Sequence, residues 1–213
     1  MIKAVFFDMD GTLVDTENLD NEVALQVCRG LGFELTHEEQ EERHGKTSKK
    51  LYEYLAALHP GVFDVPKATQ KQLDGFEAEL RKGPRPFSGA KELPKLLKSK
   101  GYKLAIVSSS TRPQIDMVLA GLGINTFFDF IVSADDIKES KPNPEGYLIA
   151  AKKLGVNPEE CVVLEDGSKG AAAGKNAGMK VIGVVNNGGQ DLSQADMVVK
   201  NLGEINLETL TFK

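Results

Sequence analysis

The sequence predicts an α/β fold: a parallel sheet flanked by helices, with a helical bundle inserted after the first strand. Three observations carry this. The chain opens on an apolar run, Ile2 to Phe7 broken only by Lys3, that stops abruptly at Asp8-Met9-Asp10-Gly11. Such a run, bounded by a turn signal, reads as a buried parallel strand. From Thr16 to about Lys82 the pattern is helical, without a convincing strand. Beyond the stiff linker Gly83-Pro84-Arg85-Pro86, short apolar runs alternate with amphipathic stretches, which implies a parallel sheet with right-handed crossovers. The expected domains are 1–15 with 83–213, and 16–82.

The inserted block reads as four helices. Asp15 or Thr16 caps the first, which carries Leu19, Val23, Ala24, Val27 and Leu31 on one face and ends at Gly30 and Gly32. Thr36 with Glu39 forms a capping box for a short acidic helix over 38–43, broken at Gly45. Thr47 or Ser48 starts the third, with Leu51, Leu55 and Leu58 inward and Pro60-Gly61 as its stop. The fourth runs over about 65–81 and carries Leu73, Phe76 and Leu80. His59 reads as a loop residue.

After the linker come a helix over 90–100, a strand over 103–107, a helix over 113–122 and a strand over 128–132. A helix over 144–154, a strand over 161–164, a helix over 171–177 and a strand over 181–185 follow. A short strand over 195–199 and a final turn or helix close the chain.

The bulk numbers exclude some functions. The 213 residues are 41% hydrophobic and 27% charged, ordinary for a globular protein. Net charge is −5, which argues against nucleic acid and anionic membranes as partners. No apolar run reaches the ~20 residues of a spanning helix, and the chain enters its first strand without a leader-like segment. Cys28 and Cys161 lie far apart and read as buried thiols, which fits a reducing cytoplasm. No heptad or exposed apolar run argues for an oligomer, so a monomer is expected.

Polar residues gather at the predicted strand ends. The first strand ends at Asp8 and Asp10, the second at Ser108-Ser109-Ser110, and the strand over 161–164 at Glu165-Asp166-Gly167-Ser168. Lys141-Pro142 lies just before the helix at 144. In a parallel sheet the carboxyl ends of all strands share one edge, where ligands bind. Each segment alone reads as an ordinary turn; together they bring four carboxylates, hydroxyls and a lysine to one place. Such carboxylates repel one another unless a hard cation sits among them, and Mg²⁺ is the ordinary choice. A serine hydroxyl and a lysine suit phosphate oxygens. A carboxylate nucleophile could attack phosphorus to give an aspartyl-phosphate.

Asp8-Met9-Asp10-Gly11-Thr12, then Ser108, then Lys141-Pro142, then Glu165-Asp166 resemble, in order, the four motifs of the haloacid dehalogenase superfamily. The helical insertion looks like the α-helical cap of the subgroup containing β-phosphoglucomutase and small sugar-phosphate phosphatases. The resemblance implies a Rossmann-like core. It implies Asp8 as nucleophile and Asp10 as general acid and base. It implies Mg²⁺ held by the Asp8 side chain, the Asp10 backbone carbonyl and Asp166, with Glu165 close by, and a phosphoryl group held by Ser108, the Ser109 N–H and Lys141.

Departures from the pattern narrow the reading. True dehalogenases are similar in fold but lack the second aspartate, so Asp10 argues for phosphate ester cleavage. β-Phosphoglucomutases carry a histidine where Asp20 stands and an arginine where Ser48 stands, although Lys46 or Lys49 could replace the arginine. His37 and His44 lie on other cap elements. A small-molecule phosphatase, acting on a sugar phosphate or similar metabolite, is therefore expected over a phosphomutase. A phospho-accepting regulatory module is the non-enzymatic alternative, disfavoured by the insertion and by Asp10. Gly167 stands where a hydroxyl residue is usual, with Ser168 placed to cap the next helix. The stretch His44-Gly45-Lys46-Thr47-Ser48-Lys49 is expected to read the leaving group. Hinges near Asp15–Thr16 and Gly83–Pro86 are expected to let the cap close and exclude water.

Overall fold

Every residue of the first apolar run from Ala4 to Phe7 is shut away from solvent, because the strand it forms has neighbours on both sides. The structure, a computed structural model, describes residues 1–42, 47–186 and 190–212. It divides into two units, Met1–Asp15 with Gly83–Lys213, and Thr16–Lys82.

In chain order the elements are β1 (Ala4–Phe7), α1 (Thr16–Gly30), α2 (His37–Glu41), α3 (Ser48–Leu58), α4 (Val65–Lys82), α5 (Glu92–Ser99), β2 (Lys103–Val107) and α6 (Arg112–Leu122). Then follow β3 (Phe130–Val132), α7 (Glu145–Leu154), β4 (Cys161–Glu165), α8 (Ser168–Asn176), β5 (Lys180–Val184) and β6 (Met197–Val199). The stretch after β6 forms two 3₁₀ turns, Leu202–Glu204 and Thr209–Thr211.

The six strands form one parallel sheet in the order β3-β2-β1-β4-β5-β6. Two strands are shorter than the apolar runs that announce them, β1 starting at Ala4 and β3 at Phe130, whereas β4 runs one residue further than expected, to Glu165. Pairing continues one residue before β1: Lys3 N–H donates to the Glu160 carbonyl at 2.7 Å, and Lys103 N–H donates to the Lys3 carbonyl at 3.0 Å. One face of the sheet packs Phe6, Ala105, Val107 and Val163 against Tyr147, Ala150 and Ala151 of α7 and the small residues of α8. The Phe6 and Tyr147 rings stack with centroids 6.5 Å apart and planes 5° apart.

The first strand's exit and the return into β2's half run side by side. Asp15 N–H donates to the Arg85 carbonyl at 3.0 Å and Phe87 N–H to the Leu13 carbonyl at 3.0 Å.

In the unit 16–82 the core is Ala24, Cys28, Leu35, Leu51, Tyr52, Leu55, Phe63 and Ala68. Leu58, expected inward, is 51% exposed, and Leu73 on α4 is 40% exposed. On α4 the buried face is Ala68, Gln72, Phe76 and Leu80, one residue in every four. Leu73 lies one residue, about 100°, off that face. The buried Gln72 is admitted because its Nε2 donates to Asp20 Oδ1 at 2.7 Å. The capping box forms as expected: Glu39 Oε2 accepts from Thr36 N–H at 2.8 Å and Glu39 N–H donates to Thr36 Oγ1 at 3.3 Å. That box starts α2 at His37, one residue earlier than the sequence suggests. His59 is no bare loop residue. It caps α3, its Nε2 lies 2.5 Å from Glu39 Oε1, and its ring centroid lies 4.4 Å from that of Phe33.

Both cysteines are buried and free. Among the described residues no helix is long and apolar enough to cross a membrane.

Candidate active site

β1 lies between β2 and β4, with Phe7 opposite both Ile106 and Leu164. Their carboxyl ends therefore meet. The ladder runs one residue past β1, where Asp8 N–H donates to the Leu164 carbonyl at 3.0 Å. Asp8, Ser108 and Glu165 thus emerge side by side, all of them buried.

Lys141 comes to them from the loop before α7. Its Nζ donates to Asp8 Oδ1 at 2.5 Å, Glu165 Oε1 at 2.6 Å and the Val107 carbonyl at 3.0 Å. That loop is held from two sides. The Glu145 carboxylate accepts the N–H groups of Lys138 and Glu139, each at 2.9 Å, and Asn176 Nδ2 donates to the Pro142 carbonyl at 3.1 Å. Burial alone would lower the Lys141 ammonium, but Asp8 and Glu165 outweigh it and hold it well above the usual lysine range.

Carboxylate oxygens of Asp8, Glu165 and Asp166 all lie within 4.8 Å of one another. Burial first, and the neighbouring Glu165 charge second, push the Asp8 carboxyl well above its ordinary value despite Lys141. The cluster is thus short of positive charge. An all-oxygen set of this kind fits a hard divalent cation. Gly11 keeps the room open: at φ +81°, a Cβ there would meet Asp166 Oδ2 at 2.0 Å. Thr12 Oγ1 lies 3.5 Å from Asp166 Oδ1. Behind Asp166 the N-cap of α8 is Gly167, and Ser168 is the first helical residue, not the cap expected from the sequence.

Asp10 is turned toward the serine run. Its Oδ2 accepts from Ser108 Oγ at 2.9 Å and from Ser110 Oγ at 2.8 Å. Ser110 N–H donates to Ser108 Oγ at 2.9 Å, tightening the turn. Ser109, between them, is exposed. On the other side, Asn186 Nδ2 donates to the carbonyls of Gly11 at 2.7 Å and Thr12 at 3.2 Å. Asn186 itself stands at φ 36°, a region that asparagine tolerates better than most residues.

Sequence reasoning missed Ser110, Asn186, Glu145 and Tyr147. Tyr147 is 1% exposed, and its hydroxyl donates to Glu165 Oε1 at 2.7 Å. Burial and the Glu165 charge push its phenol well above the usual range, so it stays a donor. Only Ser110 left a signal, as the third serine of a run.

Of the residues expected to read the leaving group, His44, Gly45 and Lys46 lie outside the described residues. Thr47 is the N-cap of α3, accepting Lys50 N–H at 3.4 Å. Ser48 opens that helix, and the exposed Lys49 lies 3.8 Å from Glu53.

Comparison with known proteins agrees with this geometry. A Thermotoga maritima protein named phosphorylated carbohydrates phosphatase is 32% identical over 92% of this chain and 93% of its own length. The Arabidopsis thaliana protein SUPPRESSOR OF QUENCHING 1 is 38% identical over 86% of this chain, which spans only 18% of that relative. The solved structure of β-phosphoglucomutase from Clostridium difficile superposes with a TM-score of 0.78 at 27% identity, covering 99% of this chain and 96% of that one. The family model of the haloacid dehalogenase-like hydrolases matches residues 5–184. The chain is an enzyme fold of that kind and belongs to the haloacid dehalogenase-like hydrolase family.

Proposed function

We propose that the protein is a Mg²⁺-dependent phosphomonoesterase acting on a small phosphorylated metabolite, a sugar phosphate by preference, through an aspartyl-phosphate on Asp8. The observation that carries this is the buried Asp8 at the end of the central strand, paired with Lys141 at 2.5 Å and crowded by Glu165 and Asp166. An Asp8 oxygen attacks phosphorus, and the ester P–O bond breaks as Asp10 passes a proton to the leaving oxygen. Asp10 then takes a proton from water, which attacks the phosphoryl group and restores Asp8. A Mg²⁺ ion would be held by Asp8, the Asp10 backbone carbonyl and Asp166, with Glu165 close by, and would neutralise phosphoryl oxygens and crowded carboxylates. Ser108, the Ser109 N–H and Lys141 would hold the phosphoryl oxygens. The Ser108 hydroxyl, which now donates to Asp10, would turn to phosphate, leaving Ser110 on Asp10.

Residues 16–82 are taken as a cap that selects the leaving group, with His44 to Lys49 as its reading loop. The name of the Thermotoga relative supports a phosphorylated carbohydrate as substrate. A phosphomutase is the second reading, favoured by the likeness to β-phosphoglucomutase. Against it stands Asp20 at the mutase histidine's position, its carboxylate engaged by Gln72.

The test is phosphate release from p-nitrophenyl phosphate with and without Mg²⁺, for wild type and Asp8→Asn, followed by a panel of phosphorylated metabolites. No release by the wild type would sink the phosphatase reading. Equal release by Asp8→Asn would sink the nucleophile assignment.

A further inference from the structure

We infer that Tyr147 is a positioning residue for the metal site: its hydroxyl holds one oxygen of Glu165 toward Lys141 and so leaves the other to face a cation. The inference rests on the metal-dependent reading given above.

Glu165 Oε1 takes two donors, Tyr147 OH at 2.7 Å and Lys141 Nζ at 2.6 Å. The space behind the carboxylate is closed. A Cβ at Gly170 would lie 1.8 Å from Oε1 and 2.2 Å from Oε2, so the backbone of α8 lies directly against it. The tyrosine ring is fixed as well, stacked on Phe6 and lying under Lys141, whose Nζ is 5.4 Å from the ring centroid. Lys141 cannot orient Glu165 alone, because its ammonium also serves Asp8 and the Val107 carbonyl. A carboxylate tied at one oxygen by a shared lysine can rotate; one tied by two donors from different directions cannot. Partners behind a ligand set its orientation in this way.

A tyrosine serving only as core would lend stability and nothing else. The two roles separate by cation size. Mg²⁺ demands near-ideal octahedral geometry, whereas Ca²⁺ accepts looser arrangements. Loosening Glu165 therefore costs Mg²⁺ more than Ca²⁺.

The experiment is calorimetric titration of the full chain with Mg²⁺ and with Ca²⁺, for wild type, Tyr147→Phe and Phe6→Leu, with a thermal melt of each. Tyr147→Phe keeps the ring and removes only the donor. It should weaken Mg²⁺ binding by ~10–100-fold and Ca²⁺ binding by several-fold less, lowering the Mg²⁺/Ca²⁺ preference. Phe6→Leu disturbs the same stack without touching the hydroxyl. It should lower the melting temperature and keep the preference. Equal weakening of both cations in Tyr147→Phe, no weakening at all, or the same shift in Phe6→Leu would overturn the inference while leaving the phosphatase reading intact. A wild type that binds neither cation would overturn the metal reading and this inference with it.

Discussion

The Ser110 hydroxyl donates to Asp10 Oδ2 at 2.8 Å, the same oxygen that takes the Ser108 hydroxyl at 2.9 Å. If Asp10 is the acid and base, as proposed above, Ser110 is the group that would keep its carboxylate aimed once Ser108 turns to phosphate. Ser110→Ala should lower kcat by ~3–10-fold, a loss of about 1 kcal/mol. KM should stay within about twofold, because no substrate contact is lost. Steady-state kinetics on p-nitrophenyl phosphate reads this, and an unchanged kcat would dismiss the role.

Gly11→Ala tests the room beside Asp166. The added methyl meets Asp166 Oδ2 and the backbone sits at φ +81°, where an L side chain costs about 1–2 kcal/mol. We expect a lower melting temperature together with a loss of Mg²⁺-dependent turnover of at least ~100-fold. A variant with near-native turnover would show that Asp166 can move without harm.

How much of this was readable from residues alone depends on what each residue looks like among its neighbours. Asp8, Glu165 and Lys141 stand out because a charge at the end of an apolar run, or beside a proline, has no packing reason to be there. The parallel sheet makes their meeting a matter of topology. Tyr147 does not stand out. In the stripe Tyr147, Ala150, Ala151 a tyrosine reads as one more core ring, and its hydroxyl's partner lies on another element. Gln72 and Leu73 show the same limit reversed: hydrophobicity chose the leucine, while the hydrogen bond to Asp20 buried the glutamine. Likewise His59 gained its place from Glu39 and Phe33, neither of them near it in sequence.

Asp196 gives a pH signature remote from the site. Burial alone would raise its carboxyl. Lys175, the Val181 N–H and Lys180 outweigh that and hold it at about 2, against an ordinary 3.8. A carboxyl lowered on folding contributes stability above its unfolded value and loses it as pH falls through the folded one. Asp196→Asn should therefore cost about 1–2 kcal/mol at pH 7, after allowance for the partly exposed lysines. The gap to wild type should close between the two values, 3.8 and about 2. Urea midpoints across that range decide it; a constant gap would contradict the assignment.

Cys161 should be inert in the native protein. Burial, with Glu160 and Glu159 adding to it, pushes its thiol up to about 12. At pH 8 the thiolate fraction is then roughly one in ten thousand. Iodoacetamide followed by mass spectrometry should label this residue only after denaturant is added. Rapid labelling of the folded chain would show that β4 opens locally.

The order of strands across the sheet also sets an order in time. β1 is made before both its partners, β2 and β4, which come after the whole helical stretch has been synthesised. Pairings so distant along a chain form slowly, while helical contacts close quickly. On the ribosome the helical unit should thus gain protease resistance while β1 is still a loose, apolar segment, which limited proteolysis of stalled nascent chains can follow. The strand that carries Asp8 would be among the last to find its place. A nascent chain that must keep so apolar a segment waiting is one that a chaperone has reason to hold.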